Sequence, residues 1–452
     1  MKLVKMSMVA ALLVGSSAFA VENIQVSGDA NIYYFTQDTE LTPNALAGED
    51  ASLFGKDSSA ADASLNLNVS ADLVKNDLVT VSAKAGYTVL STLGLENNFV
   101  SNVWGTGHTA TALTGAKYAG SSHDALPTGT IIAGEDALGG AKVENANYFT
   151  EAYVTVAAGK SAVQLGRMEL DTPLAYTEKW SVEKNTFEAA VVVNQDIPGT
   201  TVVGAYVGNG NGNEMFGQDL SPNITTIPGS LDAPSLAVAG TVNGEGKFGT
   251  FGTDGAYTFG VVNNSFKPLT AQAWYYRVTN VADAFWLQAD VNCQLIPGLM
   301  AGVQYSMIDL DAGIDSSVIA GMLGYEVKDI VTVKAAYSTV DSDFAAGFNV
   351  ATSTGDTKLY TKTFWNYGYN LVTAADTDAM KLSVSSPVGG LFDTCASYTA
   401  VDVDGTDVTE IALVAKKSFG PLDVKAALIN YDIDLPDMDA NNMVQAYLTL
   451  NF

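Results

Sequence analysis

Positive charge and cysteine are scarce in this sequence. Its 452 residues include 22 lysines and arginines against 49 aspartates and glutamates, which gives a net charge of −27. Because no basic patch is available to release counterions from phosphate groups, we exclude a nucleic-acid partner. The two cysteines, Cys293 and Cys395, fall on opposite faces of predicted strands that are far apart in order. We therefore expect both thiols to be free.

Histidine is nearly absent, which bears on catalysis. The only two, His108 and His123, lie in one glycine-rich segment. No nucleophile elbow and no His-Glu-x-x-His helix accompanies them, so the residues that a hydrolase needs are missing. We expect the protein not to be an enzyme. Charged residues make up only 16% of the chain, which also separates it from disordered acidic tails.

Long apolar runs are missing as well. The apolar stretch over residues 6–14 is shorter than the roughly 18 residues that a membrane helix needs. Two lysines precede it and small residues at cleavage spacing follow it, so residues 1–20 are predicted to be a secretory signal peptide. Residues 21–452 contain no linker, low-complexity block or shift in composition, and we expect them to form a single domain. Any residence in a membrane must then use strands.

What the sequence does contain is alternation of apolar and polar residues. In the last run, which ends at Phe452, Val444 and Leu448 fall on one side of an extended strand and Gln445 and Tyr447 on the other. A half-buried strand of a soluble sandwich would show the same pattern. Eighteen such runs follow one another: 24–35, 62–72, 77–90, 146–157, 160–168, 184–194, 198–207, 255–263, 269–278, 283–293, 297–307, 316–327, 330–339, 377–385, 391–402, 408–416, 420–431 and 441–452.

The connections between these runs alternate in length. Every second one is short and often carries proline or glycine, as at 196–199, 266–268, 295–298, 386–389 and 419–421. The others include the long segments 36–61, 91–145, 208–254 and 340–376. Short turns on one rim and long loops on the other are typical of an outer-membrane barrel with periplasmic turns and extracellular loops.

This pattern predicts an all-β fold, a transmembrane antiparallel up-and-down β-barrel of 18 strands. Only a closed barrel leaves no unsatisfied strand edge in lipid. An even number of strands returns both termini to the periplasmic side, so the further run 235–243 is assigned to a loop. Counts of 16 and 20 remain alternatives.

A resemblance to a known family rests on four short segments. They are the signal sequence Met1-Lys-Leu-Val-Lys5, the segment Leu165-Gly-Arg-Met-Glu-Leu-Asp-Thr-Pro173, the segment Lys184-Asn-Thr-Phe-Glu188 and the terminal Phe452. These resemble the major outer-membrane porins of Campylobacter-type bacteria, which are relatives of the OprD-type porins. The resemblance implies an 18-stranded homotrimer in the bacterial outer membrane, with a constriction formed by inward-folded loops.

The resemblance also implies calcium as a candidate cofactor, with no cofactor as the alternative. Acid-rich loops that could supply oxygen ligands are 309–311, 402–407 and 432–439. None of them matches a complete calcium-loop pattern, so loops that face water or lipopolysaccharide are the simpler interpretation.

The connection between the fifth and sixth runs is the candidate constriction loop. Residues 169–183 carry four acids, Glu169, Asp171, Glu178 and Glu183, against a single lysine. General porins fold a loop into the lumen at this position, and we expect these acids to form one wall of the constriction. The alternative is a solvated external loop.

Basic residues in the polar phase of the strands are the candidate opposite wall. In lipid near the membrane midplane each lysine would cost roughly 2 to 4 kcal/mol, so we expect them to face the lumen. They are Lys84, Lys334, Lys381 and Lys425, and Arg277 is added as a further pore-lining residue. A field across the pore would then orient dipolar solutes. The alternative is that these lysines pair with acids of the wall such as Asp423.

The function that this sequence favours is passive diffusion of small hydrophilic solutes and ions through a water-filled barrel. The expected partners are membrane lipid, lipopolysaccharide and these solutes, and the protein itself as a homotrimer. The negative net charge favours cations, although the lysines could reverse this preference locally. Two alternatives stay open, a substrate-specific outer-membrane channel and a secreted acidic surface-layer or adhesin protein.

Overall fold

The computed structural model describes most of the chain beyond the predicted signal peptide. The described residues are 21–38, 52–54, 59–91, 147–179, 182–211, 213–214, 241–242, 248–250, 255–352, 356–364, 371–388, 390–434 and 440–452. The predicted signal peptide and both histidines lie outside these ranges. No helix in the described part of the chain is long and apolar enough to cross a membrane.

Within the described ranges, eighteen antiparallel strands form a barrel, as the alternation predicts. They are β1 (Glu22–Gln37), β2 (Ser59–Lys75), β3 (Thr80–Ser91), β4 (Asn147–Ala158), β5 (Ser161–Met168), β6 (Phe187–Asn194), β7 (Thr200–Gly210), β8 (Ala256–Asn263), β9 (Leu269–Val278), β10 (Ala282–Asn292), β11 (Leu299–Leu310), β12 (Ile314–Val327), β13 (Val331–Val340), β14 (Thr377–Val388), β15 (Phe392–Val403), β16 (Thr406–Phe419), β17 (Leu422–Ile433) and β18 (Asn441–Asn451). Two-residue strands occur in the connection between β7 and β8, and one of them, Thr241–Val242, lies in the run assigned to a loop.

The sheet closes on itself. Each strand pairs with the next along the chain, and β18 pairs with β1 from Asp29↔Asn451 to Gln37↔Met443. The final residue completes this seam, because the backbone N–H groups of Gly28 and Phe452 each donate to the other's carbonyl, at 2.8 and 2.9 Å. A Cβ atom at Gly28 would lie 2.6 Å from the Phe452 ring, so the close approach requires glycine.

The two faces of the sheet differ in chemistry. On β9, Trp274 and Tyr276 are buried, whereas Tyr275 between them is exposed. The large residues of the outer face are mostly apolar, as Val303 and Leu323, 59% and 58% exposed, illustrate. A sandwich of two stacked sheets would bury such residues against each other. The structure therefore excludes the sandwich alternative, and the apolar face is the outside of a barrel.

The two rims differ as predicted, with one refinement. Eight short connections, from 76–79 to 420–421, share one rim with both termini of the barrel, and long connections leave the other rim. On that second rim, however, three connections are also tight: 279–281, 311–313 and 404–405. At Asp404 and Gly405 φ is +47° and +79°, which suits a two-residue turn with both central residues left-handed. The long loops are therefore concentrated on part of the rim.

Candidate channel constriction

Two connections of the long-loop rim fold into the barrel. Residues 169–186 join β5 to β6, and residues 341–376 join β13 to β14. Each contacts the inner wall: the N–H of Leu174 donates to the Tyr276 hydroxyl at 3.2 Å, and the Ser316 hydroxyl donates to the Phe344 carbonyl at 2.5 Å. We call them the first and second inner loops. The first is the loop that the sequence predicts to enter the lumen.

Wall side chains hold the second inner loop along its length. Gln304 donates to the Lys358 carbonyl at 2.9 Å and accepts from the Tyr360 N–H at 3.0 Å. The Tyr360 hydroxyl donates to Asp290 at 2.6 Å. Further along, the Phe364 N–H donates to Glu410 at 2.6 Å. Because three strands supply these partners, the loop is attached to the wall at several points along its length and not only at its ends.

The two inner loops are joined to each other. The N–H of Val350 donates to the Leu174 carbonyl at 2.8 Å. Asn349 bonds the Tyr176 backbone twice, from its amide nitrogen to the carbonyl at 3.0 Å and through its amide oxygen to the N–H at 3.3 Å. The two loops therefore form one body inside the barrel.

Glu178 lies at the centre of this junction. It is 3% exposed, and one of its carboxyl oxygens accepts hydrogen bonds of 2.6 Å from Asn349 and from Thr352. Burial, together with the nearby carboxylate of Asp356, raises the pKa of Glu178 to about 8. The ammonium group of Lys362 lies 2.5 Å from the Asp356 carboxylate and compensates its charge. The prediction that Glu178 faces the channel is wrong, because the second inner loop covers it.

Glu183 is also an anchor rather than a pore residue. It is 1% exposed and accepts a hydrogen bond of 2.8 Å from Asn66 on β2, which ties the end of the first inner loop to the wall. Burial raises its pKa above the ordinary value. The prediction of a channel-facing role is wrong for Glu183 as well, because this side chain is buried against β2.

The other two acids of the first inner loop are accessible. The Asp171 side chain is 92% exposed and is paired with Lys358 of the second inner loop. The Glu169 side chain is 45% exposed and is paired with Lys184. The acids that reach the lumen therefore stand beside lysines, and the expected purely acidic wall is replaced by ion pairs.

The four predicted lysines all take the inner face but do different things. Lys84 is 2.7 Å from Glu151 on β4. Lys381 donates to the backbone carbonyl of Lys362 and so holds the second inner loop. Lys425 lies over the ring of Tyr447, 3.7 Å from its centroid. Lys334 is exposed, and within the part of the chain that the structure describes it forms no ion pair. The lysines therefore do not act as one row.

Arg277 lies on the outer face, and its prediction as a pore-lining residue is wrong. Its neighbours Tyr276 and Val278 fill the inner face of β9, which places Arg277 in the opposite phase. There it bonds Asp283 at 2.8 Å and both carboxylate oxygens of Asp311 at 2.9 and 3.0 Å. These acids at the rim provide a partner for a charge outside the lumen.

A cavity of about 410 Å³ lies inside the barrel near the short-turn rim. Lys179, Lys416 and Lys425 line it. Lys416 and Lys425 are direct partners across β16 and β17. Asp423, the acid expected to pair with the lysines, instead accepts hydrogen bonds from Ser418 at 2.5 Å and Asn451 at 2.8 Å. Lys417, Asp393 and Asp423 also line this lysine cavity, which therefore holds four lysines against two acids.

Sequence reasoning missed several residues of this site. Lys358 and Lys362 lie in a segment without strand periodicity, so no pattern shows which way they point. Glu151 lies in a predicted strand, but a bulge reverses its direction. Lys416 was detectable, because it ends a predicted run in the polar phase.

Among the described residues, two of the acid-rich loops have an acid that is engaged by another residue of the protein. Asp311 is engaged by Arg277, and Asp402 accepts a hydrogen bond of 2.9 Å from the Gly405 N–H. Residues 435–439 lie outside the described ranges. Among the residues that are described, no three or more histidine, cysteine or acidic side chains are grouped to hold a metal ion.

Solved structures share the architecture. OccAB1 of Acinetobacter baumannii superposes with a TM-score of 0.68 at 11% identity, covering 97% of this chain and 98% of its own. The outer membrane protein OpdK of Pseudomonas aeruginosa superposes with a TM-score of 0.63 at 13% identity, covering 95% and 99%. The chain has the fold of these barrels. OpdK has also been crystallised with vanillate, and that structure has a TM-score of 0.62 at 12% identity over 95% and 98%.

The sequence matches no protein-family model and no curated protein.

Proposed function

We propose that the protein is a porin of the bacterial outer membrane, through which small hydrophilic solutes and ions diffuse passively. The observation that carries this proposal is the closed barrel of 18 strands with an apolar outer face and a lumen narrowed by two inner loops. Barrels of this size are wide enough to leave an aqueous channel. Transport, rather than catalysis, is the function that such an interior supports.

The secreted surface-layer or adhesin alternative fits the structure poorly. An outer face that exposes residues such as Leu287, Ile319 and Leu323 at 50–58% needs lipid or detergent around it. Extraction from envelope membranes therefore requires detergent, whereas a secreted acidic protein would be released without it.

Liposome swelling tests the diffusion function. Proteoliposomes with the purified chain are expected to swell in arabinose and glucose at rates that fall with solute size. Protein-free liposomes are the control. Equal swelling of both preparations, with folded protein shown in the membrane by its shift in gel mobility on heating, would contradict the porin proposal.

A substrate-specific channel for anionic solutes is the second candidate function. The lysine cavity favours it, because four lysines against two acids line it, and one of these lysines, Lys425, lies over the ring of Tyr447. Benzoate is expected to block single-channel conductance saturably, whereas its neutral isostere benzamide is not. In the variant Lys416→Met/Lys425→Met the block by benzoate should weaken at least about tenfold. Block that increases linearly with benzoate concentration, or that benzamide produces to the same extent, would contradict the substrate-specific channel and leave only general diffusion.

The homotrimer, the contact with lipopolysaccharide and the Campylobacter-type affiliation are further proposals that follow from the resemblance. A depression on the outer wall, lined by Ala289, Gly321 and Ala335, supports the homotrimer because a neighbouring barrel could approach closely there. Native mass spectrometry of the detergent-extracted protein tests the oligomer and bound lipopolysaccharide together. A bare monomer would contradict both.

A further inference from the structure

Four charges form a network on the inner wall between β3 and the first inner loop. Glu151 lies 2.7 Å from the ammonium group of Lys84 and 3.7 Å from that of Lys184, and Lys184 is also paired with Glu169. The side chains of Lys84, Lys184 and Glu169 are 31%, 24% and 45% exposed. A permeating ion can approach these three, while Glu151, at 5%, lies behind them.

A β-bulge turns Glu151 into the lumen. Gly86 pairs with Glu151 and Tyr87 pairs with Phe149, which leaves Thr150 as the extra residue. Before the bulge Phe149 is exposed on the outer face, and after it Val154, of the opposite parity, is exposed there. Unbroken alternation would place Glu151 on the same face as Phe149, toward lipid. The bulge therefore moves a carboxylate from the outside to the inside of the barrel.

The same bulge brings Lys184 to Glu151. The Thr186 hydroxyl donates to the Thr150 carbonyl at 2.7 Å. This contact fixes the end of the first inner loop on the bulged residue, two positions from Lys184. Burial lowers the pKa of Lys184, but the carboxylates of Glu151 and Glu169 outweigh it, and the net shift is upward. Lys184 therefore stays charged beside the pore.

Glu151 differs in its partners from the other buried glutamates of the described residues. Glu178, Glu183 and Glu410 each accept hydrogen bonds that hold an inner loop. Glu151 instead faces two ammonium groups that are themselves open to the lumen. With Glu151 ionised, the four charges cancel; without it, the same patch of wall carries one net positive charge.

We propose that Glu151 is a specificity-determining residue of the channel, which suppresses anion preference by neutralising Lys84 and Lys184 on the pore wall. The proposal rests on the proposed porin function. A single charge beside a narrow aqueous path changes the local ratio of small cations to anions by about two- to fourfold. The bulge at Thr150 is the structural device that supplies this charge.

Reversal potentials in planar bilayers under a KCl gradient test the proposal. Glu151→Gln should lower the ratio of potassium to chloride permeability by about two- to fourfold, because one positive charge is uncovered. Lys84→Met should raise the ratio, because two acids then face one lysine. The double variant Lys84→Met/Glu151→Gln restores a neutral network and should return to the wild-type ratio, which a merely structural defect would not do.

Glu188→Gln is the matched control. Glu188 is paired with Arg167 at 2.8 Å, but Arg167 shares the outer face with the exposed Leu165, so the pair lies outside the lumen. The reversal potential of Glu188→Gln should equal that of wild type. If Glu151→Gln does not fold, Lys84→Met still decides the question. If Glu151→Gln or Lys84→Met conducts like wild type and its ratio of potassium to chloride permeability does not change, this inference alone is overturned. If the wild-type protein does not conduct at all, the porin function itself is overturned.

Discussion

Gly302 shows how closely the second inner loop fits the barrel wall. It pairs with Asp290 across β10 and β11, beside the hydroxyl end of Tyr360. A Cβ atom at this position would lie 2.6 Å from Cζ of Tyr360 and 2.8 Å from the Asp290 carboxylate that accepts the tyrosine hydrogen bond. Because these two side chains are hydrogen-bonded to each other, a Cβ atom here would displace that contact, so the position favours glycine for space rather than for conformational freedom.

Gly302→Ala is therefore expected to weaken docking of the loop. Overpacking of this kind costs about 1–3 kcal/mol. Proteolytic cleavage within 341–376, in folded protein held in detergent, should accelerate by roughly 5- to 100-fold if cleavage follows transient opening. Gly321→Ala is the control, because a Cβ atom there meets nothing within 4 Å. Equal cleavage rates of the two variants would contradict the proposed fit.

At the scale of elements, the junction of the two inner loops carries a buried titratable group. Glu178 is faced by Asp356, Lys362 and Tyr176, and its pKa is raised from 4.5 to about 8. Since the folded state binds the proton more tightly, the stabilisation of the junction is complete below about pH 4.5 and is lost as the pH rises through about 8.

Channel recordings between pH 5 and 9 test this titration. In wild type, closing and flickering events should become more frequent toward pH 9, because ionised Glu178 stands beside the Asp356 carboxylate. Glu178→Gln keeps an oxygen acceptor for Asn349 and Thr352 without the charge, so its event frequency should not change with pH. A pH dependence that persists in Glu178→Gln would assign the effect to another group.

The elements differ in how far sequence predicts them. The pattern that identifies a strand lies in adjacent residues, and this alternation located all eighteen strands. Contacts of the inner loops are not local: Glu178 bonds Asn349, 171 residues away, and Glu183 bonds Asn66, 117 residues away. No pattern near either glutamate reveals that it will be covered. The position of Glu151 was not predicted for another reason. One extra residue in a strand moves every later side chain to the opposite face without changing the composition.

At the scale of the whole molecule, closure between β1 and β18 decides the architecture. Asn31 and Thr449 are partners across this seam, and the Thr449 hydroxyl donates to Asn31 at 2.7 Å. The neighbouring pairing of Gly28 with Phe452 is hydrogen-bonded in both directions, so alternation makes Asn31↔Thr449 a non-hydrogen-bonded pair with close side chains. Such a pair has the spacing that a disulfide needs.

Asn31→Cys/Thr449→Cys is expected to form a disulfide on oxidation, in a background with Cys293 and Cys395 replaced by serine. The denatured, unreduced chain would then be circular and migrate faster on a gel. Asn31→Cys/Gln445→Cys is the matched control, because Gln445 pairs with Phe35, four residues further along β1. Failure of the first pair to cross-link, or equal cross-linking of both, would contradict the seam and its register.

The central claim is that the polar faces of the eighteen strands enclose water that is continuous across the membrane. Single-channel recording of the purified wild-type chain in a planar bilayer tests this most directly. The structure predicts discrete conductance steps that rise in proportion to the conductivity of the KCl solution. Folded, heat-modifiable protein that inserts into the bilayer without producing such steps would contradict it.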